Sequence, residues 1–149
     1  MSITLRPVDG SNFRKCVDLK VADGQENFVA SNVFSIAQSK IYPHLVPLAA
    51  YAGDELVGFA MYECNPQTGS HWIDRVMIDH AHQGRGCGRA LTLALIEKIR
   101  QLDAAEVFLS IVPGNENAEK LYQSLGFERT GNVSEGGEMI MRLKLEAEA

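Results

Sequence analysis

The chain has 149 residues, 46% of them hydrophobic and 22% charged, enough for one well-packed core and too few for two ordinary domains. A net charge of −5 with no run of Lys and Arg excludes the electrostatic footprint of a nucleic-acid binder, and no window approaches the apolar length of a membrane span. Met1-Ser2-Ile3-Thr4-Leu5-Arg6 has no basic stretch followed by an apolar one, so the expectation is a single cytoplasmic domain over residues 1–149.

Residues 3–6 alternate and precede Pro7, a short strand. Ser11 or Asn12 can cap a helix carrying Phe13, Cys16, Val17 and Leu19 at helical spacing. A second helix is expected over about residues 32–40, with Pro43 and Pro47 breaking the pattern behind it. Residues 48–51 and 56–64 flank the Gly53-Asp54 turn signal as a hairpin. Trp72, Asp74, Val76 and Ile78 then alternate with Ile73, Arg75 and Met77, a third long strand. Leu91, Leu95, Ile99 and Leu102 fall four, four and three residues apart, along one face of an amphipathic helix. Residues 107–111 follow as a buried strand, completing a right-handed parallel crossover. A short helix over 117–125 stops at Gly126, and residues 127–130 and 139–145 close the sheet around the Gly136-Gly137 turn. The order βααβββαβαββ describes an α+β domain, a mixed and mostly antiparallel central sheet with helices on both faces.

Cys16, Cys64 and Cys87 are widely spaced, with no Cys-x-x-Cys pair, and read as reduced thiols. Cys87 lies between Arg85 and Arg89, which could lower a thiol pKa, but no histidine is near it in sequence and a small turn filler suffices. His80 and His82 have a spacing that metal sites use, yet no other cluster supplies the remaining ligands. Solvated loop histidines, and no metal, are expected.

Gln83-Gly84-Arg85-Gly86-Cys87-Gly88-Arg89-Ala90 joins a strand to the long helix. Its glycines allow a tight turn that exposes successive backbone N–H groups, and the helix dipole with Arg85 and Arg89 adds positive charge, so the turn suits a pyrophosphate. A Walker loop would need Lys followed by Ser or Thr where Arg89-Ala90 stands. The dinucleotide fingerprint G-x-G-x-x-G fails from Gly84 at Arg89 and from Gly86 at Leu91.

On a strand-to-helix turn, Gln83-x-x-Gly86-x-Gly88 resembles the acetyl-CoA signature of the GNAT superfamily of N-acetyltransferases. Asn115-x-x-Ala118-x-x-Leu121-Tyr122-x-x-x-Gly126-Phe127 resembles that superfamily's second recurrent segment, at the expected distance downstream. The resemblance implies the GNAT fold, acetyl-CoA as cosubstrate, and direct transfer to a primary amine in a ternary complex without a metal. By position it implies that Val76, Met77 and Ile78 hold the acetyl and pantetheine arm, where the family's strand splays and a backbone N–H meets the developing oxyanion. It implies Gln83, Gly84, Arg85, Gly86, Cys87, Gly88, Arg89 and Ala90 at the pyrophosphate, and Asn115, Asn117 and Lys120 along the rest of CoA. Tyr122 would be the general acid at the departing sulfur. The superfamily often dimerises through its closing strands, which makes a homodimer compatible with the resemblance.

Amine acetylation needs a neutral nucleophile, and a free alkyl ammonium has a pKa of roughly 10, so a base or a carboxylate-ordered water must take its proton. Glu63 and Asp74 are the candidates, each of which could instead anchor a cation. Gln25-x-x-Phe28-Val29-Ala30-x-Asn32-x-x-Ser35, together with Trp72-Ile73-Asp74-Arg75, resembles bacterial spermine/spermidine and diamine N-acetyltransferases. A polyamine is a flexible chain of ammonium groups, best met by spaced carboxylates around an apolar slot. Glu26, Glu63 and Asp74 could supply the carboxylates, with Phe28 and Tyr62 lining the slot. Arg75 could neutralise a needed charge, but strand alternation predicts that it and Asp74 face opposite sides of the sheet. Rival acceptors are another small amine, an amino acid, an aminoglycoside or a peptide N-terminus; the rival of another class is a non-catalytic module that senses acetyl-CoA.

Overall fold

The computed structural model describes residues 1–145. Its elements follow the expected order: β1 (Thr4–Pro7), α1 (Phe13–Asp18), α2 (Asn32–Ile41), β2 (Leu45–Ala52), β3 (Glu55–Cys64), β4 (His71–Ile78), α3 (Cys87–Arg100), β5 (Glu106–Ile111), α4 (Glu116–Ser124), β6 (Glu128–Val133) and β7 (Met139–Lys144). One 7-stranded sheet runs β1-β2-β3-β4-β5-β7-β6. Within it β4 and β5 pair in parallel, and the other neighbours are antiparallel.

Alternation along β3 divides the interior into two cores, one on each face of the sheet. Ala60 and Tyr62 belong to the core that includes Leu91, Leu95 and Ile99 of α3, with Leu109, Phe127 and Met141. Phe59 and Met61 belong to the other, with Cys16 of α1, Leu45, Ala49 and Met77, and Ile36 of α2 packed against them. Ser31 caps α2 by accepting from the Phe34 N–H at 3.1 Å. The buried Asn32 amide donates to the Cys16 carbonyl at 2.8 Å, fixing the start of α2 to α1.

Three local expectations change. β2 begins at Leu45 and includes Pro47, which pairs with Met61. β1 has already ended there, its last pair being Pro7 with Leu48, so β2 is an edge at that point and an edge tolerates proline. Leu102 lies beyond the end of α3 and is exposed rather than continuing its apolar face. Phe13 is likewise exposed, and Cys16 is the buried residue of α1.

The sheet opens at its centre. β4 pairs with β5 only at Trp72–Phe108 and Ile73–Leu109, where the two aromatic rings stack at 5.1 Å. Beyond Ile73 the strands part. Here the register of β4 against β3 shifts: Met61 pairs with Arg75 and Tyr62 with Ile73, so Asp74 is the extra residue of a β-bulge. β3 instead stays tightly against the far end of β4, because a Cβ on Gly58 would come within 2.5 Å of the Met77 carbonyl oxygen. Gly58→Ala should therefore displace the open end of β4 and lower stability by about 2 kcal/mol in urea denaturation. An unchanged midpoint would show that this contact is slack.

Candidate active site

Where β4 leaves β5, a groove of about 570 Å³ opens between residues 74–78 of β4 and Ser110–Ile111 of β5, reaching the glycine turn and α4. Gly84 and Gly86 adopt φ of 78° and 82°, the left-handed region that side chains resist, and Gly86 is the N-cap of α3. Among the described residues no acceptor meets the N–H groups of Gly86, Cys87 or Gly88. They add to the dipole of the 14-residue α3, so this end of the groove is built to receive an anion.

Gly84, Gly86, Cys87 and Gly88 line the groove, as do Val76, Met77, Ile78, Gln83, Asn115, Asn117 and Tyr122. Arg85, Arg89, Ala90 and Lys120 do not. Arg85 and Lys120 are exposed, and Arg89 donates to the Ser124 hydroxyl at 2.9 Å, tying α3 to α4. Gln83 faces inward but is committed to protein partners: its amide donates to the Ile78 carbonyl at 3.0 Å and to Gln25 Oε1 at 2.9 Å. Asn115 caps α4, accepting from the Ala118 N–H at 3.4 Å.

Tyr122 is buried and rests edge-on against Phe127, ring centroids 5.7 Å apart. Burial pushes its phenol up to about 12, so the hydroxyl keeps its proton at neutral pH.

The bulge places Asp74 against Glu63 of β3, which is within hydrogen-bond reach. Asp74 Oδ2 is buried and has no hydrogen-bond partner while both groups are ionised. Burial above all, then the Glu63 charge, pushes the Asp74 carboxyl up to about 7, with Arg75 opposing. Below about 7 the Asp74 carboxyl therefore keeps its proton, with Glu63 alongside it. Glu63 Oε2 lies 3.2 Å from His44 Nε2.

Asp74 also lines a second cavity, of about 460 Å³, shared with Gln38, Tyr42, His44, Glu63 and Arg75. Strict alternation fails at the bulge, and Asp74 and Arg75 border the same space. Arg75 nevertheless leaves the Asp74 carboxylate free. Its guanidinium donates to Ser35 Oγ at 3.2 Å, Gln38 Oε1 at 3.2 Å and the Asp74 carbonyl at 2.9 Å.

Of the other residues picked out from the sequence, Phe28 lines the groove. Glu26 lies outside it, exposed, accepting from the Gly24 N–H at 3.0 Å. Tyr62 belongs to the α3-side core and borders neither cavity, because alternation turns it away from Glu63. His82 is not a solvated loop side chain: it is half-buried and lies 3.2 Å from Glu55. His44 stands between two prolines with nothing in its own neighbourhood to mark it, and only the pairing of Leu45 with Glu63 reveals its place. Ser110 and Glu138, hydrogen-bonded at 3.1 Å on the groove wall, carried no signal in the sequence.

Comparison with known proteins bears on the family and the fold. A family model, the acetyltransferase (GNAT) family, matches residues 13–127. The spermine/spermidine N(1)-acetyltransferase of Bacillus subtilis is 33% identical over 148 residues, covering 95% of this chain and 97% of that protein. Among solved structures, AAC(6')-Ib in complex with paromomycin and acetyl-CoA superposes with a TM-score of 0.80 at 19% identity, over 99% of this chain and 96% of that one. The PaiA N-acetyltransferase of Thermoplasma acidophilum in complex with coenzyme A has a TM-score of 0.70 at 17% identity, over 97% of this chain and 100% of that one. These two likenesses show the fold.

The displaced carboxyl of Asp74 makes stability depend on pH. Below its ordinary value of 3.8 both folded and unfolded chains hold the proton, and above about 7 neither does. Between them only the folded chain binds it, so this group's contribution to stability falls as pH rises through that window. Asp74→Asn should raise stability at pH 8 by on the order of 2 kcal/mol, with the gain gone at pH 4. Thermal melts at the two pH values measure this; an equal effect at both would mean that the carboxyl titrates normally.

Proposed function

This chain belongs to the acetyltransferase (GNAT) family and is an acetyl-CoA-dependent N-acetyltransferase, and from that membership we propose that its acceptor is a primary amine of a polyamine such as spermine or spermidine. The observation that carries the reading is the Asp74–Glu63 pair, set where the cofactor groove and the second cavity meet. A chain of ammonium groups is suited to a groove whose wall carries the Asp74 carboxyl, with a second carboxyl, Glu63, behind it. The relative that is 33% identical over nearly the whole length acts, by its name, on spermine and spermidine.

Acetyl-CoA, when bound, supplies the thioester carbonyl that the amine attacks. The Gly86–Gly88 N–H groups and the α3 dipole hold the pyrophosphate. The edge of β4 from Val76 to Ile78, which has no ladder partner on the β5 side among the described residues, receives the pantetheine arm. Asp74 takes the ammonium proton, and Glu63 shares the charge. Tyr122, protonated at neutral pH, donates to the departing sulfur.

The decisive measurement is CoA release with spermine, spermidine, short diamines, aminoglycosides, amino acids and peptides. Saturable turnover with the polyamines is expected. Turnover confined to another amine overturns the substrate, and binding without turnover leaves a sensor of acetyl-CoA. Tyr122→Phe should lower kcat about 100-fold with CoA binding retained, and an equally fast variant removes Tyr122 from the acid role. With the parent, kcat should climb as pH rises through about 7, while Asp74 loses its proton. Glu63→Gln should move that limb to lower pH, because a neighbouring negative charge is gone; a limb that moves upward contradicts the pairing.

A further inference from the structure

Asp74 borders both cavities, so a proton it takes from an amine need not leave through the groove. Once cosubstrate and acceptor fill the groove, the open route lies on the other side. We infer that His44 is a relay residue, passing that proton from the Asp74–Glu63 pair to solvent through the second cavity. The inference rests on Asp74 acting as the base in acetyl transfer.

The groups stand in order of increasing contact with water. Asp74 Oδ2 is buried. The side chain of Glu63 is 17% exposed and that of His44 32%. Each is within hydrogen-bond reach of the next, with His44 Nε2 at 3.2 Å from Glu63 Oε2. The imidazole is held in place: the Leu45 N–H bonds the Tyr42 carbonyl at 3.0 Å in a tight turn, and the Tyr42 ring stands edge-on to His44 at 6.1 Å. The titratable and charged groups around it in the cavity are Tyr42, Glu63, Asp74 and Arg75. Arg75 cannot carry the proton, since a guanidinium only donates and this one is bound to Ser35 and Gln38. Imidazole is the side chain suited to accept on one nitrogen and release from the other near neutral pH.

The steps balance. The N–H bond of the ammonium breaks as an O–H bond forms on Asp74, and that proton passes to Glu63. It then passes to Nε2 of the neutral ring, and the proton on Nδ1 leaves to water. Exchange with solvent restores the original tautomer.

The test compares kcat at saturating acetyl-CoA for the parent, His44→Ala, His44→Gln and Glu63→Gln, each with and without added imidazole. His44→Ala should be about tenfold slower with its KM for acetyl-CoA unchanged, and imidazole should restore it saturably. His44→Gln keeps a polar side chain beside Glu63 but passes no proton, and it should stay slow. Glu63→Gln should have a lowered plateau that imidazole does not rescue. A His44→Gln variant at the parent rate, or a slow His44→Ala that imidazole leaves unmoved, overturns the relay; if His44→Ala does not fold, His44→Gln decides alone. A parent that turns over other amines but no polyamine overturns the substrate reading only, and the relay is judged on the amine it accepts. An Asp74→Asn variant at the parent rate, or a parent silent on every amine, overturns the relay too.

Discussion

The separation of β4 from β5 is the constraint on which the rest of the site depends. Two parallel strands that pair at only two positions expose backbone that would otherwise be bonded within the sheet. Such an opening must be held from outside. The stacked Trp72 and Phe108 close one end, and Gly58 lets β3 press against the other. The buried stripe of α3, with Leu91, Leu95 and Ile99, packs in the core beneath the sheet. Together these contacts keep β4 in the antiparallel ladder while its opposite edge remains available.

The same strand carries the electrostatic strain. An isolated buried carboxylate is costly to ionise, and a second one beside it makes ionisation harder still. A regular strand would turn Asp74 and Arg75 to opposite faces and let each find its own surroundings. The bulge instead brings them to one cavity, and the hydrogen bonds of Arg75 to α2 keep its guanidinium away from the carboxylate. Asp74 thus remains a group whose proton is loosely held near neutral pH, while the deeply buried Tyr122 holds its own firmly. Burial raises both oxygen acids bordering the groove, the carboxyl into the neutral range and the phenol further above it.

Much of this was legible in the residues, for physical reasons that differ by element. The apolar repeat of α3 from Leu91 to Ile99 and the extended run of β4 are local patterns, and helix and strand appear where they place them. The repeat fails at Leu102 and the alternation at the Asp74 bulge. The glycine turn was legible because positive φ selects glycine, as Gly84 and Gly86 show. Pairing was not. Tyr62 and Glu63 are neighbours in sequence, but one packs into the core and the other faces a cavity. The bulge at Asp74 has no mark in its own residue types, and His44 acquires its neighbour only through the pairing of β2 with β3. Arg85 and Arg89 were natural partners for an anion by charge, yet the turn directs the first to solvent and α4 engages the second.

The amide of Gln83 has a consequence for how two ligands meet. It bridges the end of β4 to Gln25, in the loop that brings Phe28 to the groove, while its chain neighbours form the glycine turn. Each such bond contributes roughly 1 kcal/mol, so a turn held still restrains the loop, and a loop held still restrains the turn. The two halves of the groove are thermodynamically linked: whichever ligand arrives first removes part of the conformational search that the second would otherwise face.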